Sequence, residues 1–304
     1  MCTHEVDIQN NAKVNLDRYD PTRTLTLRKA FVSASNKRFK ALKKLIQQKV
    51  QVQDCFGLKR ALNVNVGQQN IEYFMRWLKN AEYNTILDKP WIERYIRLAY
   101  ERGIDRARVE MARVGINVEE VNRMFEDMIG KRALSNLPYH VDMLGSLYAR
   151  SFMELEGITA EMNTQIVRIL SEGVLQGDSP ANLARKINSA VIETKQDLGL
   201  TVKYVTKTGK QVSYFISGRR RAEILARTET IRAHHLAMVQ EYKRWGDFDV
   251  KVLAELSTAK DDRVCEICES LEGQVFTLEE AEGLIPVHPQ CRCVILPVFE
   301  KNKK

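Results

Sequence analysis

Five residues near the end of the chain carry soft metal-binding donors at ligand-like spacing. Cys265 and Cys268 lie in "VCEICESLEG", and "HPQCRC" brings in His288, Cys291 and Cys293. The only other cysteines are Cys2 and Cys55. A Cys-x-x-Cys pair puts two thiolates on one turn, which suits a tetrahedral ion with Zn–S bonds of about 2.3 Å. Five donors for four positions is the pattern of a closed, structural zinc site, because a catalytic zinc keeps one position for water. The spacing ranks Cys265, Cys268, Cys291 and Cys293 as ligands, with His288 replacing one of them or orienting the site from behind. The competing reading is four reduced cysteines packed as small hydrophobes.

The start, "MCTHEVDIQNNAKVN", has no apolar core of a secretory signal, so the cysteines are expected to be reduced and a disulfide framework is disfavoured. Catalytic signatures are missing. No HExxH, GxSxG, Walker loop or GxGxxG is present, and the zinc-deaminase order is reversed, with Cys-x-x-Cys first and no histidine followed by x-Glu. Asp261 and Asp262, just before the first cysteine, read as turn residues. The expectation is a protein without enzymatic activity or a small-molecule substrate.

The elements that must position these donors belong to a 304-residue chain, long enough for two domains. Its 44% hydrophobic and 28% charged residues are ordinary globular composition, and no apolar run is long enough for a membrane span. The formal charge of +8 is unevenly spread. Residues 1–60 are strongly basic, whereas 251–300, which hold the cysteines, are acidic. A zinc module built to grip nucleic acid is normally the basic part of its chain.

The pattern predicts a mainly α fold: an elongated multi-helix body, an inserted β-hairpin, and a small C-terminal α+β zinc-binding-like module. Residues 1–24 read as an extended arm ending at Asp20-Pro21. A basic helical region is expected over 25–135. Its first helix has Leu27, Phe31, Phe39, Leu42, Leu45, Ile46 and Val50 on one stripe. The opposite face carries Arg28, Lys29, Lys37, Arg38, Lys40, Lys43, Lys44 and Lys49 with no acid among them. That face is a solvated bundle surface or a contact for phosphate or an acidic partner. A second helical region is expected over 136–246, with Thr159 as an N-cap, Gly177 as a stop, Ser179-Pro180 as a restart and the hairpin at about 200–216. A long helix then runs to Trp245-Gly246. On it Arg227, Glu229 and Arg232 can form structural ion pairs that pin the helix to the strand or loop entering the cysteine module. Its adjacent His234 and His235 point about 100° apart, one expected packed and one exposed. "DVKVLAELSTA" reads as a strand opening the Cys/His-rich module, 247–304.

"LARTETIRAHH", "STAKDDRVCEICESLEGQVFTLEEA" and "IPVHPQCRCVILP" together resemble the signature of phage head-morphogenesis proteins, the minor head protein family typified by phage Mu. The opening "DPTRTLTLRKAFVSASNKRFKALKKLI" is also similar to the start of many such proteins. The resemblance implies a low-copy virion structural protein of a tailed phage, assembled in the bacterial cytoplasm. It would act in capsid or portal assembly with portal, capsid or scaffold partners, and be retained in the head with packaged DNA or ejected with it. Relatives that lack the first cysteine pair make Cys268, His288, Cys291 and Cys293 the alternative quartet. The other function class open to the sequence is a zinc-stabilised nucleic-acid-binding protein.

Overall fold

The structure, a computed structural model, describes residues 20–56, 68–120, 122–123, 138–191, 201–205, 211–215, 217–246 and 251–299. Most of it is helix: α1 (Leu25–Gln47), continued by a wider π-helical turn (Gln48–Val52), then α2 (Gln68–Thr85), α3 (Lys89–Arg113), α4 (Pro138–Leu175), α5 (Pro180–Val191) and α6 (Gly218–Gly246). Strands β1 (Thr201–Val205) and β2 (Gln211–Phe215) pair antiparallel, forming the hairpin expected between helices. The C-terminal part holds β3 (Val252–Ser257), α7 (Glu266–Leu271), β4 (Val275–Phe276), α8 (Leu278–Glu282) and β5 (Val294–Phe299). β3 is the middle strand of a three-stranded antiparallel sheet, with β4 and β5 on its two sides. The mainly helical class with a small α+β module is therefore as expected. Residues 1–19 of the expected arm, including Cys2, and the end of the first helical region lie outside the described residues. Among the described residues no helix is long and apolar enough to cross a membrane.

The chain forms two compact units, each assembled from separated stretches. One comprises Ala30–Ile92 and Arg150–Ala226. Its core takes Phe31, Phe39, Leu42, Ile46 and Val50 from α1 and its extension, with Phe74, Leu78 and Trp91. Phe31 meets Trp91 edge-on at 5.5 Å, a favoured aromatic geometry. Leu45, expected on this stripe, is exposed. It precedes Ile46 by one position, about 100° around the helix, and so leaves the buried face.

Two helix boundaries show local chemistry at work. Ser179 Oγ accepts the Asn182 amide at 3.3 Å and Pro180 opens α5, while Gly177 takes the left-handed φ of 70° that ends the preceding segment. Thr159 does not cap a helix. It lies inside the uninterrupted 38-residue α4, and its hydroxyl donates to the Glu156 carbonyl at 2.9 Å. That local bond satisfies a threonine without breaking the helix.

The other unit comprises Met1–Lys29, Glu93–Ala149 and Arg227–Lys304. Here α6 and the C-terminal module share one core. Met238, Val239, Tyr242 and Trp245 of α6 pack with Ala107 and Met111 of α3, with β3 and β5, and with Cys268, Cys291 and Cys293. Gly103 lets α3 approach closely, since a Cβ there would collide with the His234 carbonyl and the Ala237 methyl. This crowding explains why both His234 and His235 are buried, against the expectation that one would be exposed. His235 Nε2 donates to the Ala281 carbonyl of α8 at 2.7 Å. Burial depresses His234 to about 3 and His235 to about 4.

Both imidazoles are neutral in the folded protein, whereas in the unfolded chain they protonate near pH 6.5. Between those values the unfolded state binds more protons, so stability falls as pH drops from about 6.5 toward about 4. The loss is about 1.4 kcal/mol per pH unit for each such histidine. Urea unfolding of this unit is expected at a clearly lower midpoint at pH 5 than at pH 7.5, and equal midpoints would contradict the burial of these rings.

Candidate metal centre

Each candidate ligand is placed by its neighbours. Cys265 is the N-cap of α7, with extended φ and ψ of −82° and 158°, and its sulfur accepts the Cys268 amide at 3.5 Å. Cys268 follows in the first turn of that helix and points into the core, 3% exposed. His288, Cys291 and Cys293 come from the loop leading into β5, whose pairing with β3 holds the backbone from Val294 onward. Cys291 and Cys293 are both buried, His288 and Cys265 half-buried.

The donors of Cys265, Cys268 and His288 lie within 4.8 Å of one another, as do those of Cys268, Cys291 and Cys293. Cys268 is the shared vertex. Its sulfur is 3.2 Å from His288 Nε2 and 4.0 Å from Cys291 Sγ. A zinc ion with Zn–S near 2.3 Å and Zn–N near 2.0–2.1 Å has tetrahedral edges of about 3.8 Å (S···S) and about 3.6 Å (S···N). The S···S distance is close to the first value, and the S···N distance is about 0.4 Å shorter than the second. His288 Nδ1 sits 2.9 Å from the Pro289 carbonyl, which only accepts, so Nδ1 carries the proton and Nε2 offers its lone pair toward Cys268. The donor set therefore fits a tetrahedral ion, and the cluster can hold a metal.

The electrostatics of the thiols point the same way. The hydrogen bond from the Cys293 thiol, helped by backbone amides, lowers Cys291 to about 5. Burial and the charge on Cys291 push Cys268 up to about 12, and Cys293 is pushed up by its hydrogen bond to Cys291 and by burial. By itself the cluster carries one thiolate comfortably. A cation at the centre would supply the charge that lets the others ionise.

The surrounding residues brace the loops. Arg292, between the two last cysteines, makes a bidentate pair with Asp261 at 2.5 and 2.7 Å, holding the Asp261 carboxyl below the usual carboxylate range. Asp261 also accepts the Arg263 amide at 3.1 Å, so it is a turn and tether residue, in keeping with its sequence reading. Glu272 accepts the Thr258 amide at 2.6 Å and pairs with Lys260 at 3.0 Å. Arg227 Nη1 donates to Gln290 Oε1 at 2.7 Å, so its contact is inside the His288–Cys291 loop. Glu229 pairs with Arg232 at 3.2 Å on the same helix face.

Of the eight basic residues of α1 and its extension, Lys29, Lys37, Lys40 and Lys44 are exposed, and Lys43 and Lys49 half-buried. Arg38 lies over the Trp91 ring at 4.4 Å, and Lys49 over Tyr73 at 5.0 Å. Arg28 departs from the expectation. It is buried and bonded at 2.5 Å to Asp20, whose other oxygen accepts the Leu25 amide at 2.7 Å. Asp20 thus caps α1 and neutralises Arg28, so this arginine is withdrawn from the basic face. Asp20 lies eight residues before Arg28, an offset that carries no helical-pair signal, so this pairing is not legible in the sequence.

No curated protein and no solved structure matches the chain. Residues 164–296, a little under half of the chain, match the family described as phage Mu protein F like protein. The matched stretch runs from within α4 through α6 and the cysteine cluster into β5, and over that stretch the chain is similar to this phage head protein family.

Proposed function

We propose that the protein is a non-enzymatic minor head protein of a tailed phage, acting in capsid and portal assembly. In this reading it resides in the virion, at the portal or inside the head, after assembly in the host cytoplasm. The observation that carries the reading is the family match over residues 164–296. The convergence of five soft donors within that stretch supports a structural role for its C-terminal part, closed by one Zn²⁺ bound by four of Cys265, Cys268, His288, Cys291 and Cys293. Burial of Cys268, Cys291 and Cys293 against β3, β5 and α6 favours an ion that holds the module together over one that meets substrate.

The exposed lysines of α1 are the contact this reading assigns to acidic portal or scaffold surfaces, or to phosphates of packaged DNA without base reading. The acidic balance of the cysteine-bearing segment speaks against a zinc module that itself grips nucleic acid. The test is quantitative mass spectrometry of purified particles. The parent protein is expected at a few to a few dozen copies per head. Lys40→Glu, Lys43→Glu and Lys44→Glu together are expected to lower that number at least several-fold without unfolding the protein. Particles free of the parent protein would overturn the reading.

A further inference from the structure

We infer that Thr228 and Arg227 of α6 are positioning residues for the metal centre, acting through Gln290; this rests on the metal reading above. Gln290 stands between His288 and Cys291, and its φ of 64° is in the left-handed region that non-glycine residues avoid. Two contacts from α6 hold it there. The Gln290 amide donates to Thr228 Oγ1 at 3.0 Å, and its side-chain carbonyl accepts from Arg227 Nη1 at 2.7 Å. The reversal at Gln290 closes the turn in which the Cys291 amide donates to the His288 carbonyl at 3.1 Å. That turn sets the aim of two donors at once, His288 Nε2 and Cys291 Sγ, each next to Cys268 Sγ. Without the α6 contacts Gln290 relaxes to negative φ, the turn opens, and the two donors no longer face Cys268 together. The neighbouring helix thereby helps preorganise a site to which it contributes no ligand.

The contacts are also specific to this side-chain chemistry. Thr228 must accept a backbone N–H, which serine can do and valine cannot. Gln290 must tolerate positive φ, which glycine does freely and a β-branched residue does not.

The experiment loads the full-length reduced protein with Co²⁺ alone and reads the thiolate-to-cobalt charge-transfer and ligand-field bands. Affinities follow from competition with a chromophoric chelator. Thr228→Val and Gln290→Val are each expected to weaken Co²⁺ binding about tenfold to a hundredfold and to alter the ligand-field bands, the range typical of lost groups behind metal ligands. Thr228→Ser is expected to behave as the parent. Gln290→Gly is expected to bind almost as the parent and to restore binding to Thr228→Val, because glycine needs no clamp to adopt positive φ. That rescue would not occur if Thr228 merely supported the fold. Parent-like affinity and spectra in both valine variants, or failure of Gln290→Gly to rescue, would overturn the inference. A parent protein that takes up no Co²⁺ would remove the metal reading itself and this inference with it.

Discussion

Cys268→Ser is expected to abolish high-affinity metal binding and to unfold the C-terminal module, the largest effect of any single substitution in this account. Cys268 is the one donor common to both groups of neighbouring ligands, and its sulfur is buried among Cys291, Cys293 and the sheet. For a structural zinc site the free energy of binding is folding free energy, about 10–16 kcal/mol in small zinc peptides near neutral pH. A module with a separate core of its own would be expected to open alone when the metal is lost. The shared core changes that expectation. Tyr242 and Trp245 of α6 are fully buried with Val252, Leu256 and Ile295, so they lose their cover when the module opens. Hydrogen exchange is expected to show lost protection in β3, β5 and the second half of α6. Amides of α2 and α5, in the other compact unit, should keep theirs. Chelator treatment of the parent should reproduce the pattern. Unchanged protection of β3 and β5 after metal removal would contradict it.

Glu241→Ala is expected to destabilise the same unit by about 3–5 kcal/mol, the cost of leaving buried cations without their counter-ion. Glu241 is fully buried on α6. It accepts from Arg108 Nε of α3 at 3.0 Å, from Arg244 Nη2 and from Trp245 Nε1 at 3.3 Å. Arg244 is itself only 3% exposed, so its guanidinium cannot turn to water without opening the core. Removing the carboxylate alone leaves a desolvated positive charge. Replacing both charges by apolar side chains, as in Glu241→Met with Arg244→Met, should recover a good part of the loss, since an apolar pair of similar bulk tolerates burial. Denaturant unfolding of the three proteins measures this. A loss below about 1 kcal/mol for the single variant would show that the pair is solvated.

Much of the architecture was legible because it is local. Ser179-Pro180 announces α5 through a side-chain cap and a residue pre-set for a first turn. The alternation over 201–215 announces a hairpin, and Cys-x-x-Cys with "HPQCRC" announces a donor cluster that the fold does bring together. What was not legible depends on partners distant in sequence. The burial of both His234 and His235 needs Gly103 of α3 and Ala281 of α8, more than forty residues away on either side. The left-handed Gln290 and its clamp by Thr228 and Arg227 join residues about sixty positions apart. The charge on Arg28 was visible, but its withdrawal by Asp20 is a matter of tertiary turn geometry rather than periodicity.

The most direct test of a metal-closed C-terminal module is elemental analysis of the full-length protein, purified under reducing conditions without added metal or chelator. The account predicts about one zinc per chain, lost on Cys268→Ser and retained on Lys40→Glu. A reduced, folded parent protein that contains no zinc and takes none up on titration would contradict it.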